Sequence, residues 1–76
     1  MEVKVYSTPA CPYCKMTKDY LSSKNIPFED IDVSSNSQAA KEMVDISGQM
    51  GVPVVVADGE AVVGFDKVRL EAILNL

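Results

Sequence analysis

The stretch from Glu2 to Val33 leaves a folding chain few options. Glu2 to Ser7 alternates apolar and polar residues, as a strand with one buried face does. Thr8-Pro9-Ala10 breaks that pattern, and Tyr13 to about Lys24 then reads as a helix, with Thr17, Tyr20 and Leu21 on one face. Pro12 suits the first helical position, where its missing N–H costs nothing, and Asn25 can take the left-handed position that ends a helix. Pro27 to Val33 is a second strand, with Phe28, Ile31 and Val33 as its apolar residues. Strand, helix and strand in this order form a right-handed crossover with parallel strands.

The rest of the chain completes the sheet. Ser34 to Ser37 is a polar turn, and Ser35 with Gln38 three residues on resembles a capping box. A second helix is expected over Ser37 to Ser47, with Ala40, Met43, Val44 and Ile46 facing inward and Gly48 stopping it. Val52 to Ala57 is apolar enough to be a central strand. Asp58-Gly59 is a two-residue hairpin signal, Ala61 to Val63 is the return strand, and Gly64-Phe65 turns the chain. Asp66 can cap a last helix, Lys67 to Leu74, whose apolar positions are Leu70, Ile73 and Leu74. The order β-α-β-α-β-β-α predicts an α/β fold, a four-stranded mixed sheet flanked by three helices. At 76 residues this is one domain, 1–76, and a chain of that size supports a single core.

Charge and composition narrow the function. The net charge is −4 with 47% apolar residues. Such a chain folds, and it lacks the basic stripe that nucleic acid or an anionic membrane surface would need. No stretch approaches the roughly 18 apolar residues of a membrane span. The opening Met1-Glu2-Val3-Lys4-Val5 has no long apolar run, so a cytoplasmic monomer is expected. There is no histidine, which removes Cys–His nucleophilic pairs and His-based metal sites from a single chain.

The chemistry rests on Cys11-Pro12-Tyr13-Cys14, which holds the only two cysteines of the chain. The pair sits where the first strand gives way to the first helix. A sulfur at a helix start lies beside unpaired N–H groups and the positive end of the dipole, both of which favour an anion. Lys15 and Lys18 add positive charge in the same turns. Cys11 is therefore the expected exposed nucleophile. Cys14 follows one turn later. Cα atoms at that spacing lie about 5 Å apart, inside the roughly 4.4–6.8 Å that a disulfide tolerates. Cys11 can attack a target disulfide, and Cys14 or an outside thiol can then release the target. Three other uses of the pair carry less weight. A structural disulfide would close a tiny loop and stabilise little. A zinc site needs four ligands, so it would have to be shared between two chains. Burial as small hydrophobes would not need a strand–helix junction.

These residues resemble the glutaredoxins of the thioredoxin fold. Cys-Pro-Tyr-Cys after Val-Tyr-Ser-Thr is one landmark. Gly51-Val52-Pro53, similar to the family's Thr-Val-Pro segment, is a second, and Gly64-Phe65-Asp66, similar to its Gly-Gly-x-Asp turn, is a third. The likeness runs from about Val3 to Leu74. It implies a thiol–disulfide oxidoreductase that uses glutathione as co-substrate, needs no metal, and reduces protein disulfides and glutathione mixed disulfides through Cys11 and Cys14. It implies a cis Pro53 facing Cys11, with the Val52 backbone free to pair with an extended thiol substrate. Gly64, Phe65 and Asp66 would hold the γ-glutamyl end of glutathione. Tyr13 could pack on the bound tripeptide or simply rest on the surface.

The chain also departs from the family pattern. Many glutaredoxins carry Lys where Thr8 stands, a basic residue where Gln49 stands, and a first Gly where Val63 stands. Thr8 and Gln49 keep hydrogen-bonding capacity toward glutathione without charge assistance. The departures lean toward a sister group of redoxins that are reduced by thioredoxin reductase and donate electrons to ribonucleotide reductase. That group usually lacks Pro-Tyr between the cysteines and tends to carry Trp-Ser before the Gly-Phe, and this chain has no Trp. Donation to a peroxidase is a further variant of that reading. An iron–sulfur or metal carrier bridging two copies through Cys11 is the alternative from another class.

Overall fold

The computed structural model describes residues 2–76. Seven elements follow in order: β1 (Val3–Ser7), α1 (Pro12–Ser23), β2 (Glu29–Asp32), α2 (Ser37–Ser47), β3 (Val54–Ala57), β4 (Glu60–Val63) and α3 (Lys67–Leu74). The sheet order is β2-β1-β3-β4. β1 runs parallel to β2 and antiparallel to β3, and β3 pairs antiparallel with β4. This is the expected mixed sheet with three helices, in a thioredoxin-like arrangement.

Strand alternation sorts the helices onto two faces. The register aligns Val5, Val55 and Val62 in one row. With Val3 and Ala57, that row packs against Leu21 of α1 and against Leu70 and Leu74 of α3. Tyr6 and Val54, one residue out of phase, pack against Ala39 and Met43 of α2 on the opposite face. Each fully buried Leu or Val contributes roughly 1.5–3 kcal/mol of transfer free energy, so both faces help hold β1 and β3 at the centre.

Several local expectations hold. Pro12 occupies the first helical position of α1. Asn25 has φ 58°, and Gly48 ends α2 at φ 75°. Asp58 and Gly59 both have positive φ, at 50° and 78°, as a hairpin turn matching the strand twist requires.

Three details differ. The Ser35–Gln38 capping box does not form: Asn36 is the N-cap of α2, its side chain accepting from the Ala39 amide at 3.0 Å. The Ser35 hydroxyl instead turns back to the Asp32 carbonyl. The inner face of α2 is centred on Ala39 and Met43, which share one stripe at i and i+4; Ala40 and Val44, one residue further on, lie partly buried at its margin, and Ile46 is exposed. Finally, β2 is an edge strand shorter than the expected Pro27–Val33, and Ile31 within it and Phe28 and Val33 beside it serve both faces. Phe28 packs with the α1 and α3 side, Ile31 and Val33 with the α2 side. Asp30, opposite Val5 in the register, is left facing α1.

Candidate functional site

The site lies at the end of β1, where the chain passes into α1. Cys11 is the N-cap residue of α1, with extended backbone at φ −97° and ψ 112°. Its Sγ does what a serine or aspartate oxygen does at other helix starts. It accepts a hydrogen bond from the Cys14 amide at 3.1 Å, which satisfies one of the free donors of the first turn. Cys11 is partly exposed and Cys14 is fully buried; both are free thiols. The burial has a simple source. Cys14, Thr17 and Leu21 are the buried residues of α1, so the second cysteine sits on the helix stripe that faces the core.

The two sulfurs thus live in different media. Burial pushes the Cys14 thiol up to about 11; its hydrogen bond with Cys11 adds to the rise, while the Thr8 backbone and the Lys18 charge work the other way. Cys14 is therefore held protonated when Cys11 is free, and it must lose its proton to act. The expected positive charge around Cys11 is distributed differently from the sequence reading. Lys15 pairs with Asp19 at 3.0 Å, one turn down α1, and Lys18 pairs with Asp30 of β2 at 3.0 Å. The helix N-terminus, not a free lysine, is what faces the Cys11 sulfur.

Two further segments close on Cys11. The Val52–Pro53 peptide bond is cis, and the Val52 carbonyl lies 3.9 Å from Cys11 Sγ, within reach of a weak S–H donor. The Gly64 amide donates to the Pro53 carbonyl at 2.8 Å. That bond ties the turn before α3 to the segment beside Cys11. Gly64 has φ 77°, a conformation that side chains disfavour. Asp66 follows as the N-cap of α3, accepting from the Arg69 amide at 3.2 Å. Phe65 is partly buried and meets the Tyr20 ring edge-on at 5.9 Å. Tyr13, in the first turn of α1 between the two cysteines, is exposed. Thr8 is partly exposed and accepts from the Cys11 amide at 3.3 Å.

A family model for glutaredoxin matches residues 3–62. The chain belongs to the glutaredoxin family. It is 47% identical over 73 residues to a glutaredoxin-like 8.6 kDa protein encoded in the rubredoxin operon of Clostridium pasteurianum, covering 96% of this chain and 97% of that one. It is 34% identical over 64 residues to glutaredoxin 3 of Escherichia coli K12, covering 84% and 77% of the two chains. Among solved structures, a mutant of the thioredoxin-like protein BC3987 superposes with a TM-score of 0.91 at 34% identity, covering 97% and 95%. This glutaredoxin is a glutathione-dependent thiol–disulfide oxidoreductase with a Cys-x-x-Cys dithiol.

Two features of the glutaredoxin site escaped the sequence. Gln49 is spent within its own loop: its Nε2 donates to the Gly51 carbonyl at 3.0 Å, and its Oε1 accepts from the Gly51 amide at 2.6 Å. A Cβ on Gly51 would lie 2.7 Å from that oxygen, so a larger residue there would push the Gln49 amide aside. The other is the linked set Ser7, Asp30 and Lys18. The Ser7 hydroxyl donates to Asp30 at 2.7 Å, and Lys18 Nζ donates to its second oxygen. Burial pushes the Asp30 carboxyl up, but these bonds and the lysine charge outweigh it and hold it below its ordinary value. The available signal was strand parity: Ser7 shares the inward side of β1 with Val3 and Val5.

Proposed function

We propose that this protein reduces protein disulfides and glutathione mixed disulfides through Cys11 and Cys14 as a Cys-Pro-Tyr-Cys dithiol, with both its substrate and glutathione lying across Cys11. The observation that carries this reading is the placement of Cys11 Sγ. It accepts the Cys14 amide at a helix start and lies against the Val52 carbonyl. The Cys11 sulfur attacks one sulfur of the target disulfide. A Cys11–target S–S bond forms, and the other target sulfur leaves as a thiolate that takes a proton from water. Cys14, once deprotonated, attacks Cys11, forms the Cys11–Cys14 disulfide and expels the reduced target. Two glutathione molecules return the two electrons and leave as glutathione disulfide.

An extended substrate would pair with the Val52 backbone beside Pro53, as an added strand does. Gly64 and Phe65 would present backbone to the γ-glutamyl end of glutathione. The start of α3 would meet its carboxylate, and the Asp66 side chain its amino group. Thr8, Tyr13 and Gln49 would line the rest of the groove. This placement is supported by the Gly64–Pro53 bond, which draws the last two segments together beside Cys11.

The fold of Gln49 onto its own loop favours a second electron source. With Gln49 engaged by Gly51 and no lysine at Thr8, two family contacts to glutathione carboxylates lack charge, so thioredoxin reductase is a candidate additional reductant. The deciding experiment titrates the oxidised protein with glutathione and, separately, with NADPH plus thioredoxin reductase. Reduction by glutathione with turnover of a glutathione mixed disulfide is expected. Reduction by the reductase alone would replace the glutathione groove with the second reading.

A further inference from the structure

The Ser7–Asp30–Lys18 set joins β1 and β2 to α1 one helical turn along from the second cysteine. Ser7 is buried at 2% exposure, one residue before Thr8, whose backbone acts on the Cys14 sulfur. Lys18 lies one helical turn beyond Cys14 at i+4, where side chains of a helix are neighbours. Strand parity turns Asp30 and Ser7 toward α1, and the lysine reaches across to them. An edge strand packed under a helix ordinarily offers an apolar residue at the Asp30 position. This one offers a carboxylate that fixes the lysine, whose side chain is 27% exposed.

We propose that Lys18, fixed by Asp30 and Ser7, is a positioning residue for the resolving step: it holds a positive charge beside Cys14 and stabilises the anion that must form there before Cys14 can attack Cys11. The inference rests on the dithiol reading and concerns only its second half. In that step the Cys14 proton passes to solvent, the Cys14–Cys11 bond forms, and the Cys11–target bond breaks, so that the target leaves with the electron pair. Cys11 is a neutral disulfide sulfur at that moment. The charges that bear on Cys14 are then Lys18 from its own helix and, through Lys18, Asp30 of β2 with Asp32 beside it. Asp30 fixes the lysine but also offsets part of its field. The two residues therefore pull the resolving rate in opposite directions, which a mere clamp between α1 and β2 would not do.

The test uses an aromatic disulfide, dithiobis(nitrobenzoate), whose thiolate is coloured. The reduced protein releases one coloured thiolate when Cys11 attacks and a second when Cys14 resolves. The ratio of second-phase to first-phase rates, followed from pH 6 to 9, reports the anion available at Cys14. Lys18→Met is expected to lower that ratio about three- to tenfold, the effect of roughly half to one pH unit, and Lys18→Arg to restore most of it. Asp30→Asn keeps an acceptor for the lysine while removing the countercharge, and should raise the ratio. Circular dichroism melts verify that each variant is folded. An unchanged ratio in folded Lys18→Met, or a fall of equal size in both Lys18→Met and Asp30→Asn, overturns the proposal. Because the reagent needs no glutathione, failure of the glutathione groove would show separately as absent glutathione turnover with two intact release phases.

Discussion

The two halves of the molecule contribute to the site in different currencies. From Val3 to Asp32 the chain supplies side chains: the Cys11 and Cys14 sulfurs, and the Lys18–Asp30 pair. From Val52 to Asp66 it supplies mostly backbone: the Val52 carbonyl against Cys11 and the Gly64 amide on Pro53. The difference teaches which substitutions should be fatal and which only graded. A sulfur has no substitute in thiol exchange, whereas a backbone contact survives most side-chain changes that leave the turn intact.

The largest effect should come from the first half. Cys11→Ser is expected to abolish both protein-disulfide and glutathione mixed-disulfide reduction. Cys14→Ser should abolish only the former, since an outside thiol can release a glutathione adduct from Cys11. Coupled turnover assays on the two substrates read this directly. Equal loss in both variants would mean that the halves of the reaction are not divided as the burial of the two sulfurs suggests.

The division also explains what was legible beforehand. The element order could be read from Glu2 to Leu74 because apolar periodicity follows burial, and the two sheet faces here are covered by regular helices. Cys11 and Cys14 could be read because a sulfur pair at a strand–helix junction has few structural uses. The capping of α2 by Asn36 in place of Ser35 could not, because Ser34, Ser35 and Asn36 are all good caps and only the turn geometry chooses among them. Gln49 was expected to be free for a ligand. Its amide bonds to Gly51 are local, and local polar bonds of this kind are set by loop shape. The role of Asp30 was hidden for a different reason. An acidic residue on a short strand reads as solvent-facing until its register against Val5 is known.

Stability offers the next largest contrast. Leu21 of α1 and Leu70 of α3 are both fully buried in the same cluster. Truncation of either to Ala should cost about 2–5 kcal/mol in denaturant melts. Only the Leu21 change lies on the helix stripe that carries Cys14, so it should also raise the alkylation rate of that thiol. If Leu70→Ala exposes Cys14 as much, the core yields as one unit and the comparison of halves fails at the level of packing.

Alkaline pH isolates Cys14 further. Its folded-state value, raised to about 11 from an ordinary 9.0, makes the native state hold this proton more tightly than the unfolded chain does. The associated stability is complete below about pH 9 and is lost as pH climbs through about 11. The reduced protein should therefore show a steeper fall in Tm over that window than Cys14→Ser, which has no thiol there to ionise. Parallel curves would remove burial as the source of the raised value.

In the second half, Asp66 is expected to serve two roles that can be separated. Asp66→Ala should cost about 1 kcal/mol through loss of the α3 cap and also raise KM for glutathione. Asp66→Asn caps nearly as well but has no charge, so it should leave Tm close to the parent value while still raising KM. A KM unchanged in Asp66→Asn would restrict this residue to capping.

The smallest expected effect probes the point where the second half departs most from backbone-only contribution. Gln49 is bound to its own loop by the Gly51 amide and carbonyl, so it offers glutathione neither charge nor a free amide. Gln49→Arg gives up the acceptor for the Gly51 amide and places a guanidinium at the rim beside Val52. An exposed ion pair contributes about 0.2–1 kcal/mol, so KM for glutathione should fall by no more than about fivefold, with kcat little changed because the sulfurs are untouched. Raising salt should erase the gain, since screening acts on exposed pairs first. A salt-insensitive change would point to a rearranged loop. An unchanged KM alongside normal Cys11 chemistry would mean that the carboxylate end of glutathione passes elsewhere, and that in this half the backbone alone selects the substrate.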